Sequence, residues 1–484
     1  MIGRLAFRSL TAHPVRSAVL AAGFGLGVAV MAILLGVAAI VLEQAESPEL
    51  VGGGDVLIRL GPQVPAPLVL SGTLQSDALR ARVRVASPYD TTDLYLQQDG
   101  KATRVFARGG IPSLERALDD RETRDITAWT DSPADAAWKG SSPANVLRSI
   151  DSFHAIPDAP AWESSWAEWL YFNGRASDAR FYLTFLVGPR TPAGPRVAGV
   201  RLQLERNGRT QNYATSALMS DEDVMRAPDL TIGDSSVRLA GMTYHIHLDV
   251  HAPAGADRVV GDLTLTASAG RLIPPLEIRG ARGWLTGYVV PVMSGPLDGM
   301  LTIGGGPDKV RPTGNGASDK VRTTDDEVSL SGGVGYHDHN WGFWKDVSWQ
   351  WGQVQHEDVS FIYGRVFPPR DAADPERFPG FLGALGPDGP LGYATNVQIT
   401  ETNDTAGRPQ TIAISARGTS LNLKMNIDVS SSETTHMAQG PVAGGVDFLQ
   451  LRGNYTVSGR AGGRDVNFSA PGSAETFRGS RTEP

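Results

Sequence analysis

The 484-residue chain contains no cysteine. That excludes disulfide staples, thiolate nucleophiles and cysteine-ligated zinc, while leaving the compartment open. A basic surplus is also missing. The 44 Lys and Arg residues against 52 Asp and Glu leave a net charge of −8, a surface that does not suit a nucleic-acid partner. Beyond residue 42 no run is apolar enough to span a bilayer, and the C-terminal two thirds lack recurring helical periodicity. Glycine (56) and proline (32), by contrast, are plentiful and spread without a period. They read as turns between short strands, not as collagen or a disordered tail. The length allows two or three domains, each with a core of its own.

Residues 17–42 carry no charge, and their core reads AVLAAGFGLGVAVMAILLGVAAIVL. As a helix this run would be roughly 39 Å long, enough to cross a hydrocarbon core of about 30 Å with some tilt. Arg4, Arg8 and Arg16 precede it, and Glu43, Glu46 and Glu49 follow. The positive-inside rule then puts residues 1–16 in the cytoplasm, makes 17–42 a single transmembrane helix and places everything after residue 43 outside, in the periplasm or extracellular space. The run is longer than the apolar segment of a cleaved signal peptide, which usually spans about 7–15 residues. Gly23 and Gly27 form a small-xxx-small pair, a spacing that lets another helix approach and is also common in membrane helices generally.

Between residues 43 and 144 the pattern is mixed, and the fold of this membrane-proximal region is left open. DVLIRL and TTDLYLQQDGKATRVFARGG alternate as strands do, with a hairpin turn at QDGK, and SLERALDDRETRDITAW has room for one short helix. From about residue 145 the chain reads as all-β. RFYLTFLVG, GVRLQLERNGRTQNYA, DLTLTASAG, DVSFIYGRVF, SLNLKMNIDV and NYTVSGRAGGRDVNFSA are short β-rich runs, with hairpin tips at RNGR and RAGGRD. Residues 304–326, GGGPDKVRPTGNGASDKVRTTDD, read as a long loop. Barrels and sandwiches both satisfy this pattern.

The densest chemistry lies in GGVGYHDHNWGFWKD, residues 332–346. If residues 336–341 are extended, Tyr336, Asp338 and Asn340 share one face and His337, His339 and Trp341 the other. A carboxylic acid kept protonated in an apolar cavity can protonate an alkene, and aromatic faces can stabilise the resulting cation. Asp338 with Tyr336, lined by Trp341 or Trp169, suits that chemistry. The same residues also suit a plainer role in which Asp338 caps amides at a tight turn and the tryptophans fill a core. A second constellation, TYHIHLDVHAP, places His245, His247, Asp249 and His251 on one strand face. His-x-His is a plausible metal half-site, but alternation of this kind also marks a solvated face, and no metal is assigned.

Seven of the ten tryptophans fall in two clusters, Trp162, Trp166 and Trp169 in AWESSWAEWLYFNG, then Trp341, Trp344, Trp349 and Trp351 following GYHDHNWG. This pairing resembles the AttH/hydroxyneurosporene synthase (carotenoid 1,2-hydratase) family. GWLTGYVVPVMSGPLDGMLTIGG and NYTVSGRAGGRDVNFSAPGSAETFRG extend the resemblance over about residues 150–480. Leu170 departs from the pattern, standing where many relatives carry a second aromatic residue. The opening LAFRSLTAHPVRSAVLAAGFGLGVAVMAILLGV is similar to the first transmembrane segment of MacB/FtsX-type ABC permeases, whose later helices are missing here. The first resemblance implies two tandem lipocalin-like antiparallel β-barrels, residues 145–345 and 346–484, behind the N-terminal helix. It also implies a hydrophobic small-molecule ligand, isoprenoid- or lipid-like, bound and then hydrated, cyclised or isomerised by acid catalysis without a cofactor. The alternative is a non-enzymatic lipophile-binding accessory subunit of an ABC transporter. On these motifs the candidate catalytic residues are Asp338, Tyr336, His337 and Asn340, and the candidate ligand contacts are Trp169, Tyr171, Asn173, His339, Trp341 and Trp344. Asp338 is expected at the polar wall of an apolar cavity. His337 and His339, on the opposite face, are expected mainly to hold the turn and the neighbouring barrel.

Overall fold

The computed structural model describes residues 142–484 except 178, 254–256, 306–325, 388, 419, 438–445 and 480–484. N-terminal of these it describes chiefly 56–59, 66–75, 81–98 and 101–120, with scattered positions between 14 and 135. The apolar run 17–42, Met31 apart, and most of the 304–326 insertion therefore lie outside the described residues. Among those described, no helix is long and apolar enough to cross a membrane. The chain divides into two compact units, residues 1–59 with 80–139, and residues 60–79 with 140–484.

In the first unit, strands β1 (Tyr89–Gln98) and β2 (Lys101–Gly110) form the hairpin that QDGK implied, in unbroken register from Gln98↔Lys101 to Tyr89↔Gly110. Pro112 then opens the short helix Pro112–Ala117 in the segment where one was expected. Its Glu115 is buried beside Arg108 and accepts from Ser87 Oγ at 2.6 Å. Of DVLIRL, residues 56–59 are described, and they have no regular structure.

Among its described residues the second unit holds twenty strands in two groups. The first comprises β3 (Trp166–Ala176), β4 (Ala179–Arg190), β5 (Arg196–Arg206), β6 (Arg209–Met219), β7 (Leu230–Ile232), β8 (Ser235–Ala240), β9 (Thr243–His251), β10 (Asp257–Thr266), β11 (Ile273–Arg279), β12 (Leu285–Gly305), β13 (Asp326–Ser329) and β14 (Gly333–Phe343). Their antiparallel order runs β10-β12-β14-β3-β4-β5-β6-β9. Pairing of β9 with β10, and one residue pair between β6 and β9 (Ala214↔His251), bring the sheet back on itself as a ring. The second group is β15 (Ser348–His356), β16 (Val359–Phe367), β17 (Gly380–Gly386), β18 (Gly389–Asn403), β19 (Pro409–Arg417), β20 (Leu421–Met437), β21 (Val446–Ala461) and β22 (Arg464–Gly479). Each strand pairs with the next and β22 pairs with β15, closing an eight-stranded up-and-down barrel of lipocalin-like architecture. The all-β expectation holds.

Turn chemistry explains the register. RNGR and RAGGRD each leave two residues between paired strand ends, and Asn207, Gly208, Gly462 and Gly463 all have positive φ (51°, 71°, 56° and 80°). That is the signature of tight primed hairpin turns.

Three apolar cores result. Phe172, Phe185, Tyr244 and Leu248 help fill the ring, while Phe361, Tyr363, Met425 and Tyr455 help fill the barrel. Between them lies an aromatic seam that unites both tryptophan clusters: Trp162, Trp166, Trp341, Trp344, Trp349 and Trp351, with Trp284 added and Trp169 packed against them. Strands β3 and β14 are covered by the ring core on one face and the seam on the other. They are therefore buried almost without alternation, unlike β19, which alternates buried and exposed residues.

Candidate functional site

β14 carries the 332–346 motif through the middle of the sheet, paired to β12 on one side and β3 on the other. Asp338 sits opposite Tyr171, so it lies mid-strand and not at a turn. The turn-capping role is thereby corrected. The two-faced reading of residues 336–341 holds, since each face meets a different set of partners. Gly342 lets the strand pass: its φ is +143°, and a Cβ there would lie 2.6 Å from Thr286 Cα.

On the seam face, Asp338 is 3% exposed, and its Oδ1 accepts from Asn340 Nδ2 at 2.6 Å. Tyr336 is also within hydrogen-bonding reach of it, and the Tyr336 hydroxyl accepts from Trp351 Nε1 of the barrel at 3.1 Å. Burial is the main influence on the Asp338 carboxyl and pushes it up to about 7, against the pull of Tyr336, His337 and Asn340. A second acid comes from the barrel. Glu475, whose Oε1 accepts from Trp349 Nε1 at 3.1 Å, is raised to about 8 by burial and by the Asp338 charge. Around these acids, Gln450 Nε2 donates to the Tyr171 hydroxyl at 2.7 Å and Gln353 Nε2 to Asn173 Oδ1 at 3.3 Å. Trp169 packs on Trp344 (4.6 Å between centroids) and Trp349 (6.1 Å). The arrangement can keep a carboxylic acid neutral near pH 7 beside electron-rich ring faces.

The opposite face carries a buried ionic network. His337 Nε2 lies 3.0 Å from Asp151 Oδ2, and its Nδ1 lies 2.9 Å from the Tyr171 carbonyl. Both partners are oxygen acceptors. Tyr244 also donates its hydroxyl to Asp151 Oδ2, at 2.7 Å. His339 Nε2 meets Glu168 Oε1 at 2.9 Å, while its Nδ1 approaches Asp151 Oδ1 at 3.2 Å without hydrogen-bond geometry. Burial alone would raise Asp151, but His337 and His339 hold it at about 2. Burial likewise opposes charge on His339, and Asp151 and Glu168 overcome it, lifting the imidazole to about 9. Glu168 also accepts from the His154 backbone N–H and meets His154 Nδ1 at 2.7 Å, contacts that with His339 bring it below its ordinary range despite burial. Nδ1 of His154, Nε2 of His339 and the Glu168 carboxylate are close enough together to hold a metal ion.

The structure thus sorts the ten candidate residues. Tyr336, Asp338, Asn340, Tyr171, Asn173, Trp169 and Trp344 lie on or beside the seam, and Trp341 joins the same aromatic cluster from the other face of the strand. His337 and His339 face the ring interior, and Trp341, on their side of the strand, stacks on His154 at 4.3 Å. Its indole lies flat against Gly287, where a Cβ would come within 2.4 Å of the ring. The strip His245, His247 and His251 lies on the outer face of β9, where His247 pairs with Asp262 at 2.8 Å and Asp249 with Arg258, so the solvated-face reading holds. Sequence reasoning missed Asp151, Glu168 and Glu475. Glu168 did leave a signal, a carboxylate inside the apolar strand segment WAEWLYFNG, which demands a buried partner.

No family model matches the sequence, and no curated protein matches it. Among solved structures, the chain is similar to CghA crystallised with Sch210972 (TM-score 0.42, 13% identity, 68% of this chain and 94% of that one). It is also similar to a candidate AttH from Nitrosomonas europaea (TM-score 0.42, 14% identity, 65% of this chain and 93% of that one).

Proposed function

We propose that the chain binds a hydrophobic small molecule, isoprenoid- or lipid-like, at the seam between ring and barrel, and that Asp338 serves it as a proton or hydrogen-bond donor. The observation that carries this reading is Asp338 itself, a buried carboxyl near neutrality set among tyrosines and tryptophans drawn from both barrels. A group with a pKa near the working pH is suited to general acid catalysis. Proton delivery from Asp338 to an alkene or carbonyl would leave a cation facing Tyr336, Tyr171 and Trp351, whose rings favour it. Hydration, cyclisation or isomerisation then differ only in what captures the cation. Glu475 supplies a second acid from the other barrel. In this reading His337 and His339 position the strand: they fix β14 against Asp151 and Glu168 from the far side.

The apolar run 17–42 and its flanking charges support a single membrane anchor with the body outside the cytoplasm, which gives the seam access to membrane-borne lipophiles. The test is mass spectrometry of small molecules that co-purify with the full chain. The reading expects a lipophile on the native protein and its loss or change in Asp338→Asn. An unchanged complement in the variant would remove Asp338 from the function.

A further inference from the structure

Beside the acids the seam opens into a small, partly open cleft, bounded by β3, β4 and β14 of the ring and β15 and β22 of the barrel. Arg175 and Arg180 both line it, and they are direct cross-strand partners on the β3–β4 hairpin. Like charges placed directly opposite repel one another. The usual remedy is a carboxylate, and Arg148, Arg258 and Arg452 each have one, in Asp229, Asp249 and Glu205. Neither cleft arginine forms such an ion pair among the described residues. Arg180 is only 9% exposed, and its guanidinium reaches two hydroxyls at 3.4 Å, Tyr182 and Ser473. Asn173, Gln353, Gln355 and Ser473 supply the remaining polar lining, and among the described residues that line it there is no Asp or Glu.

We infer that this cleft is an oxyanion site, taking the carboxylate or phosphate headgroup of an amphiphilic ligand between Arg175 and Arg180. A planar guanidinium matches either headgroup bidentately, and one anion would neutralise a pair that otherwise repels. The cleft also adjoins the acids. Asn173, on its wall, is the register partner of Tyr336, and Gln353 lies two residues from Trp351 on β15. A headgroup held there would lead an apolar tail toward Asp338, a consequence that rests on the seam reading above.

Calorimetry on the full chain with four probes, dodecanoate, dodecyl phosphate, dodecanol and inorganic phosphate, separates the possibilities. The oxyanion site expects dodecanoate or dodecyl phosphate to bind at least about tenfold more tightly than dodecanol, and the tighter of the two identifies the headgroup. Arg180→Gln should weaken the anionic probes by about ten- to hundredfold while leaving dodecanol unchanged. Arg175→Gln, at the more exposed position, should act in the same direction if the Arg180 variant fails to fold. The exposed Arg417→Gln should do nothing. Dodecanol binding as tightly as dodecanoate, insensitive to both cleft variants, would overturn the oxyanion site and leave the apolar seam standing. Arginine-dependent binding of inorganic phosphate without any dodecyl probe binding would do the opposite. Failure of all four probes to bind would overturn both.

Discussion

His339→Gln isolates the ionic network behind the motif. Glutamine keeps a donor for Glu168 but cannot carry the charge that Asp151 and Glu168 stabilise. The His339 imidazole is lifted from an ordinary 6.5 to about 9 in the fold. A shift of that size corresponds to about 3 kcal/mol of stability. The sign follows from the direction. A base whose folded pKa is raised contributes fully below its unfolded pKa, and that contribution disappears as pH rises through the folded one. The native chain should therefore exceed the variant by about 3 kcal/mol near pH 6, roughly 4 °C in melting temperature for a unit of this size, and the gap should close by about pH 10. Melts of both full-length proteins across that range measure it. A gap constant with pH, or one that widens toward alkaline pH, would refute the network's charge.

Asp338→Asn should leave the fold intact and, above about pH 4, raise its stability. The carboxyl is raised from 3.8 to about 7, so the native chain loses stability as pH rises from about 4 to 7, where the unfolded carboxyl ionises and the folded one does not, and an amide escapes that loss; melts at about pH 5 and pH 8 should show the variant's advantage growing. Gly342→Ala should cost about 2 kcal/mol or more, read by denaturant titration, because the new Cβ meets Thr286 and the φ is left-handed. His247→Ala on the open face of β9 should stay within about 0.5 kcal/mol of the native protein in the same assay. Alkaline phosphatase fused after residue 60 should be active in cells and a cytoplasmic reporter at that point inactive; the reverse pattern would overturn the proposed orientation.

What the sequence revealed was local. Asn207-Gly208 and Gly462-Gly463 announce hairpin tips because positive φ is demanded of adjacent residues. The division of 336–341 into two faces follows from the period of a strand, and it holds because β14 is extended across the whole motif. Partners drawn from afar were hidden. Asp151 reaches His337 across 186 residues and Glu168 reaches His339 across 171, and no periodicity encodes such contacts. Glu475 escaped notice because its burial depends on the barrel packing against the ring, not on its own segment, GSAETFRG. DVLIRL has the alternation of a strand, but its described residues, 56–59, have none of the pairing, which shows how weak pattern is without a neighbouring edge.

The protonation of Asp338 tests the central claim most directly. Infrared difference spectra between the native chain and Asp338→Asn, recorded as pH is raised from about 5 to 9, report the carboxylic-acid stretch of this one group. A protonated-acid band present at low pH and lost with a midpoint near 7 is the expected result, and it would mark Asp338 as a donor near neutrality. Absence of the band at about pH 5, meaning a carboxylate already ionised in its ordinary range, would contradict the account.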